Sequence, residues 1–164
     1  MPLGKVWKTP VTTISATLTD LAGSVNEVRW EDGNMYRLVK ANAAGDIVRG
    51  AVCKVDTVTP FETVSGVKGL LVMHSATPLD NCIGVNATGA DVTASYYFWM
   101  LQAGIGEILT DGGVSADDFL SPAAAGATDT RAVKENVVGV ALADDSGNYA
   151  TAYVTLPSTA IDDS

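Results

Sequence analysis

The chain is poor in the side chains that carry nucleophilic and metal-dependent catalysis. Its 164 residues include one histidine, His74, and two cysteines, Cys53 and Cys82. Any Ser–His or Cys–His mechanism would depend on His74, which ends an apolar run and is expected to be a strand-end residue. The cysteines lie in apolar contexts, and their spacing from the histidine matches no zinc motif. These shortages predict a protein that is not an enzyme and uses no metal or cofactor.

Long apolar runs are also missing. No stretch of about 18 uncharged apolar residues occurs, so no transmembrane helix is expected. The first residues, Met1 to Lys5, lack the apolar core of a signal peptide, which predicts synthesis in a cytoplasm. A disulfide between Cys53 and Cys82 is therefore not expected.

Basic residues are scarce and unevenly distributed. The chain has 10 Lys and Arg against 19 Asp and Glu, a net charge of −9. Residues 1–54 hold seven basic and five acidic residues, whereas residues 55–164 hold three basic and fourteen acidic ones. The acidic part would repel nucleic acid, and no basic and aromatic patch is present to bind it. The asymmetry indicates either a solubilising surface or a basic N-terminal third that docks on an acidic partner.

Glycine and β-branched residues are abundant instead, which favours short strands joined by tight turns. The clearest hairpin has strands at 28–30 and 35–39 around Asp32 and Gly33, because glycine tolerates the positive φ of a tight turn. Further strands are expected at 57–60 and 67–73. Strand-like segments recur every 8–12 residues or so, and no long helix is expected. The predicted class is all-β, a small barrel or sandwich.

One segment occurs twice. Residues 82–101 align without a gap on residues 137–156. In both, an apolar pair leads into Gly-Val, at Gly84 and Gly139, and a polar turn and an alternating strand follow. This repeat predicts two related strand–turn–strand halves of one barrel or sandwich.

The aromatic run at 96–99 belongs to the first copy. In a strand, Tyr96 and Phe98 would face one side and Tyr97 and Trp99 the other. Three uses remain open for such a strand: core on both faces, core on one face with an interface on the other, or a platform for carbohydrate.

Three regions are expected along the chain. Residues 1–27 form an extended N-terminal arm, residues 28–156 the β domain, and residues 157–164 a C-terminal tail. The arm could add strands to a neighbouring subunit, or it could be the first strand of the same domain. Candidate interface residues come from the arm, the first hairpin and the aromatic run: Lys5, Trp7, Lys8, Trp30, Tyr97 and Trp99.

Four segments carry a resemblance to a known family. They are the strand at 36–40 with Ala-Gly-Asp-Ile-Val at 44–48, the aromatic strand at 97–104, the Asp-Gly-Gly turn and its continuation at 111–122, and the Val-Val-Gly-Val-Ala-Leu strand at 137–142 that leads to the strand at 151–156. Together they span roughly residues 35–156. In these segments the chain resembles the capsid-decorating (cement) and related head-associated proteins of tailed bacteriophages.

The resemblance implies a β module on the exterior of a virion capsid. Such a module would bind the major capsid protein and bridge neighbouring subunits of the assembled shell. It would be a homo-oligomer, with a trimer favoured, and neither nucleic acid nor a membrane would be a partner. The alternatives are a head-fibre base or a receptor- or carbohydrate-binding module of the virion.

Overall fold

A computed structural model describes residues 9–132 and 134–160, with side chains described as far as Pro157. The described residues form one sheet, which confirms the all-β class. Its strands are β1 (Ile14–Ser15), β2 (Val28–Glu31), β3 (Asn34–Ala41), β4 (Val52–Val55), β5 (Phe61–Val64), β6 (Val67–His74), β7 (Cys82–Val85), β8 (Tyr97–Leu109), β9 (Phe119–Pro122), β10 (Thr128–Thr130), β11 (Asn136–Ala141) and β12 (Tyr149–Ala160). Short 3₁₀ turns occur at Leu18–Leu21 and Ala124–Gly126.

The sheet closes on itself at one end and extends as an open wing at the other. Strands β8, β7, β4, β6 and β3 are neighbours in that order, and β3 also pairs with β8, which completes a ring of five strands. From the second half of β8, the wing continues through β12, β11 and β9 to β10. The form is therefore a ring within a single sheet.

Both tight hairpins depend on residues that adopt positive φ. Asp32 and Gly33 have φ of 51° and 81° between β2 and β3, as the sequence predicts. Ser65 and Gly66, at 49° and 80°, join β5 to β6 in the same way. The strand expected at 57–60 is wrong, because Asp56 accepts hydrogen bonds from the backbone of that stretch and holds it as a turn. The strand that forms a hairpin with β6 is β5, which begins four residues later.

The alternation of inward and outward side chains is interrupted within β8, which is 13 residues long. Trp99 and Leu101 face the same core cluster as Ile108, although strict alternation would put Ile108 on the other face. The change coincides with Gly104, whose φ is 121°, and with a shift in the β3–β8 register. The first half of β8 thus belongs to the ring and the second half to the wing.

The repeated segment folds as strand–turn–strand in both copies, with β7 and β8 in the first and β11 and β12 in the second. The register differs between them. Val85 is opposite Leu101, whereas its counterpart Val140 is opposite Tyr153, which corresponds to residue 98 of the first copy. The copies share a layout without sharing a hydrogen-bond pattern.

Residues 9–27 pack on the sheet and do not form a separate arm. Strand β1 pairs with β8, and Leu21 and Val25 are buried in the core. The Arg29 guanidinium donates a hydrogen bond of 2.7 Å to the Thr9 carbonyl. Over this range the chain is the first part of the same domain, while residues 1–8 lie outside the described residues.

The first four residues of the predicted C-terminal tail belong to a strand. Strand β12 runs to Ala160, and Val137 of β11 is opposite Thr159. Residues 157–160 therefore continue the sheet, and residues 161–164 lie outside the described part of the chain.

Two truncations should differ sharply in stability. Deleting residues 1–27 removes the fully buried Leu21 and the buried Val25, so we expect a loss of roughly 4 kcal/mol or more in the free energy of unfolding. Deleting residues 1–8 leaves both side chains in place, so we expect the loss in the free energy of unfolding to be smaller. Urea unfolding followed by circular dichroism measures both. Equal stability of the two truncations would contradict this packing.

Candidate functional site

The aromatic strand is core on both faces. Phe98 and Trp99 have no exposed surface, and Tyr97 is 7% exposed. Tyr97 and Trp99 pack in one core cluster and Phe98 in the other, which confirms the predicted alternation. As candidate interface residues, Tyr97 and Trp99 are therefore corrected to core residues. A carbohydrate platform on this strand would need an exposed Trp99, and the buried Trp99 cannot contact a sugar.

Tyr97 has a second structural contact that ties the outlying β5 to the ring. Its hydroxyl donates a hydrogen bond of 2.5 Å to one oxygen of Glu62, and Lys40 donates one of 2.8 Å to the other. Burial, followed by the bond to Glu62, raises the pKa of Tyr97. These three side chains serve the fold, since each is satisfied within the chain.

The basic residues of the N-terminal third are largely used within the chain. Each of the five that the structure describes contacts an acceptor on another residue: Arg29 with Glu31 and Thr9, Arg37 with Gln102 and Asn26, Lys40 with Glu62, Arg49 with Glu107, and Lys54 with Asp80. These five do not form a basic docking surface. Lys5 and Lys8, together with Trp7, lie outside the described residues.

Cys53 on β4 is the in-register partner of His74 on β6, and the Cys53 thiol donates a hydrogen bond of 3.5 Å to the Ala51 carbonyl oxygen. The Nδ1 atom of His74 lies 2.9 Å from the Ser75 carbonyl oxygen, and Cys53 and Cys82 are buried free thiols. Burial raises the pKa of the Cys53 thiol. Across residues 9–132 and 134–160, no three His, Cys, Asp or Glu side chains are grouped to hold a metal ion, and no helix is long and apolar enough to cross a membrane.

An exposed apolar surface crosses four strands of the wing. Ile105, Tyr153, Val140 and Phe119 are in-register partners on β8, β12, β11 and β9, so their side chains share one side of the sheet. The exposed fractions are 53% for Ile105, 48% for Tyr153 and 52% for Phe119. Leu142 lies two residues beyond Val140 and is 47% exposed. We call Ile105, Phe119, Val140, Leu142 and Tyr153 the outer face.

The opposite side of the same strands is buried. On β12 the inward residues are the small Ala150 and Ala152 and then Val154, all in the core. Leu120 of β9 and Val138 of β11 join them there. The core therefore holds the backbone of the wing in place, while the outer face stays open to solvent.

Trp30 lies at one margin of the outer face. It is opposite Met35, which is opposite Ala103, two residues before Ile105 on β8. Trp30 is 67% exposed, and of the three predicted interface residues that the structure describes it is the one at the surface. The described chain begins at Thr9, which is hydrogen bonded to the neighbouring Arg29.

The outer face adds little charge to an acidic protein. Glu107 lies two residues beyond Ile105 on β8 and is opposite Thr151 of β12. Arg49 binds both of its oxygens, at 2.5 and 2.7 Å, and lies 4.7 Å from the centre of the Tyr149 ring. Glu107 is thus neutralised by a bidentate pair. The Glu107 side of the outer face is therefore neutralised, whereas Asp118 and Asp144 lie in the chain close to Phe119 and Leu142 at its other side.

Sequence reasoning singled out Trp30 and missed the outer face. Its members come from strands far apart in the chain, so no single segment of the sequence shows them together. A local signal exists in β12, where Thr151, Tyr153 and Thr155 alternate with Ala150, Ala152 and Val154. The small residues face inward, so the tyrosine must point away from the core.

Comparison with known proteins gives no relative: no family model, no curated protein and no solved structure matches the chain significantly.

Proposed function

We propose that the chain is a non-enzymatic structural protein of a virion. It binds the outer surface of a bacteriophage capsid and stabilises the shell by bridging major capsid protein subunits. The observation that carries the proposal is the outer face, because a contiguous exposed apolar surface on a rigid sheet is typical of a protein-binding site. The resemblance of residues 35–156 to decoration proteins gives the class of partner.

The outer face suits attachment by burial. Covering a half-exposed isoleucine, phenylalanine or tyrosine contributes roughly 1–2 kcal/mol at about 25 cal/mol per Å². Several such side chains give a modest contact for each copy. If the chain is an oligomer, as the resemblance implies, the first subunit to bind holds the others at a high effective concentration near the shell. The oligomer then binds much more tightly than one copy alone. Trp30 at the margin would extend the same contact, and Lys5, Trp7 and Lys8, which lie outside the described residues, stay candidate contacts.

Co-purification with assembled particles tests this function. We expect the chain to sediment with intact shells at a stoichiometry that matches a symmetric capsid position, and to be released intact when the shells dissociate. Unassembled capsid subunits are the control, because a bridging protein should bind them more weakly than the shell. A chain that stays in the supernatant, or that follows tails separated from heads, would contradict the proposal.

A further inference from the structure

A cleft separate from the outer face opens between two loops of the ring. One wall is formed by residues 42–44, which follow β3, and the other by residues 57–59, which follow β4. Leu71 and Met73 of β6 form an apolar floor, and the cavity volume is about 460 Å³. A smaller cavity shares Asn42, Ala44 and Met73 with it and continues to His74.

One buried carboxylate borders this cleft. Asp56 is 9% exposed and accepts hydrogen bonds from the backbone N–H groups of Val58 at 2.7 Å and Thr59 at 3.1 Å, both to Oδ1. Its Oδ2 accepts one bond of 2.9 Å, from the side chain of Asn42. The bond from Asn42, followed by the two backbone bonds, lowers the pKa of Asp56, so the carboxylate is ionised at neutral pH.

The hydrogen bonds of Asp56 leave acceptor capacity on the Asn42 side. Oδ1 is occupied by two donors, whereas Oδ2 has one donor and can take another. The amide oxygen of Asn42 accepts no bond from the described residues and is a second acceptor nearby. Asp56 is the one charged residue among those that line the cleft. The bonds to Val58 and Thr59 also fix the second wall in its open form, so a ligand need not order it.

We propose that this cleft binds the side chain of a lysine from a partner protein. The methylene stem would lie on Leu71 and Met73, and the ammonium group would donate to Oδ2 of Asp56 and to the amide oxygen of Asn42. An arginine fits less well, because its planar fork needs two free carboxylate oxygens and Oδ1 is already used. The site does not depend on the proposed capsid role.

Titration of the full-length chain with Nα-acetyl-lysine methylamide tests the site. Two-dimensional NMR would follow the methyl groups of Leu71 and Met73. We expect saturable shifts at both, and binding of the norleucine analogue, which keeps the stem and lacks the ammonium, weaker by about tenfold. Equal binding of the two compounds, or no shift at either methyl group, would overturn the proposal.

Two variants isolate the carboxylate. Asp56→Asn keeps an oxygen for the backbone bonds to Val58 and Thr59 and should weaken lysine-analogue binding by about tenfold. Asp46→Asn removes a carboxylate from the same region, whose Oδ1 accepts from Ala94 instead, and should bind like the wild type. If both variants lose binding equally, general acidity is responsible and the site is wrong. Should Asp56→Asn fail to fold, the norleucine comparison on the wild type still decides.

Discussion

If the outer face attaches the chain to capsid shells as proposed, the variant Tyr153→Asp is expected to bind those shells at least about 100-fold more weakly than the wild type. Tyr153 lies in the middle of the outer face, between Ile105 and Val140. Covering this face with a partner would desolvate the new carboxylate without a cation to pair with it, and burying an unpaired charge is costly. The aromatic contact area would be lost as well. Co-sedimentation over a range of chain concentrations measures the change.

A matched control separates the outer face from surface hydrophobicity in general. Leu79 is 68% exposed and lies outside the outer face, so Leu79→Asp introduces the same charge at another exposed apolar position. We expect it to bind shells like the wild type. Circular dichroism must show that both variants keep the wild-type β spectrum. If Tyr153→Asp binds normally, or if Leu79→Asp loses binding to the same extent, the outer face is not the attachment surface.

The second large expected effect is a loss of stability when Gly139, one of the two glycines of the repeat, is replaced by alanine. A methyl group on Gly139 would overlap the backbone carbonyl oxygen of Tyr153. Backbone of a neighbouring strand cannot move aside without breaking the β11–β12 ladder. We therefore expect Gly139→Ala to lower the free energy of unfolding by about 2–4 kcal/mol. Urea denaturation gives the value, and the same variant should also weaken shell binding because it displaces Tyr153.

Two other glycines calibrate that result. A methyl group on Gly84 would overlap the buried side chain of Met100, which can change rotamer where a backbone carbonyl cannot, so we expect Gly84→Ala to cost about 1–3 kcal/mol. Gly45 has nothing within 4 Å of the added carbon and no positive φ, so Gly45→Ala should be within about 0.5 kcal/mol of the wild type. A cost at Gly139 no larger than that at Gly45 would show that the close approach to Tyr153 is absent.

Local chemistry explains what could be predicted from the sequence. The β2–β3 hairpin follows from Asp32 and Gly33, since the turn needs positive φ at both positions and few residue pairs tolerate it. The alternation of Tyr97 and Trp99 against Phe98 follows from the period of a strand. Each of these features depends on neighbours a few residues apart, so the sequence pattern contains it.

Long-range pairing explains what could not be predicted. The interrupted alternation of β8 near Gly104 changes which residues face the core, and it depends on the register with β3. The outer face exists only because β8, β12, β11 and β9 align Ile105 with Tyr153 and, beyond Val140, with Phe119. Whether Leu21 is core or part of a free arm likewise depends on where the N-terminal segment lies against β8.

The distribution of charge along the sequence did not predict which charges are exposed in the fold. The excess of basic residues before residue 55 suggested a docking surface. In the fold, Arg49 pairs with Glu107 and Lys54 with Asp80, acidic partners from the other part of the chain. Net charge by segment says nothing about which charges meet, because ion pairs form between residues distant in sequence. For Lys5 and Lys8, which lie outside the described residues, docking on an acidic partner stays a prediction.

Hydroxyl-radical footprinting of the chain, free and bound to intact shells, tests the attachment surface most directly. Oxidation rates at Tyr153, Phe119 and Leu142 report on the outer face, and the rate at the exposed Leu79 serves as the internal reference. Attachment through the outer face should protect these three residues several-fold and leave the rate at Leu79 unchanged. Full reactivity of Tyr153 and Phe119 on shell-bound chains, with protection elsewhere, would contradict it.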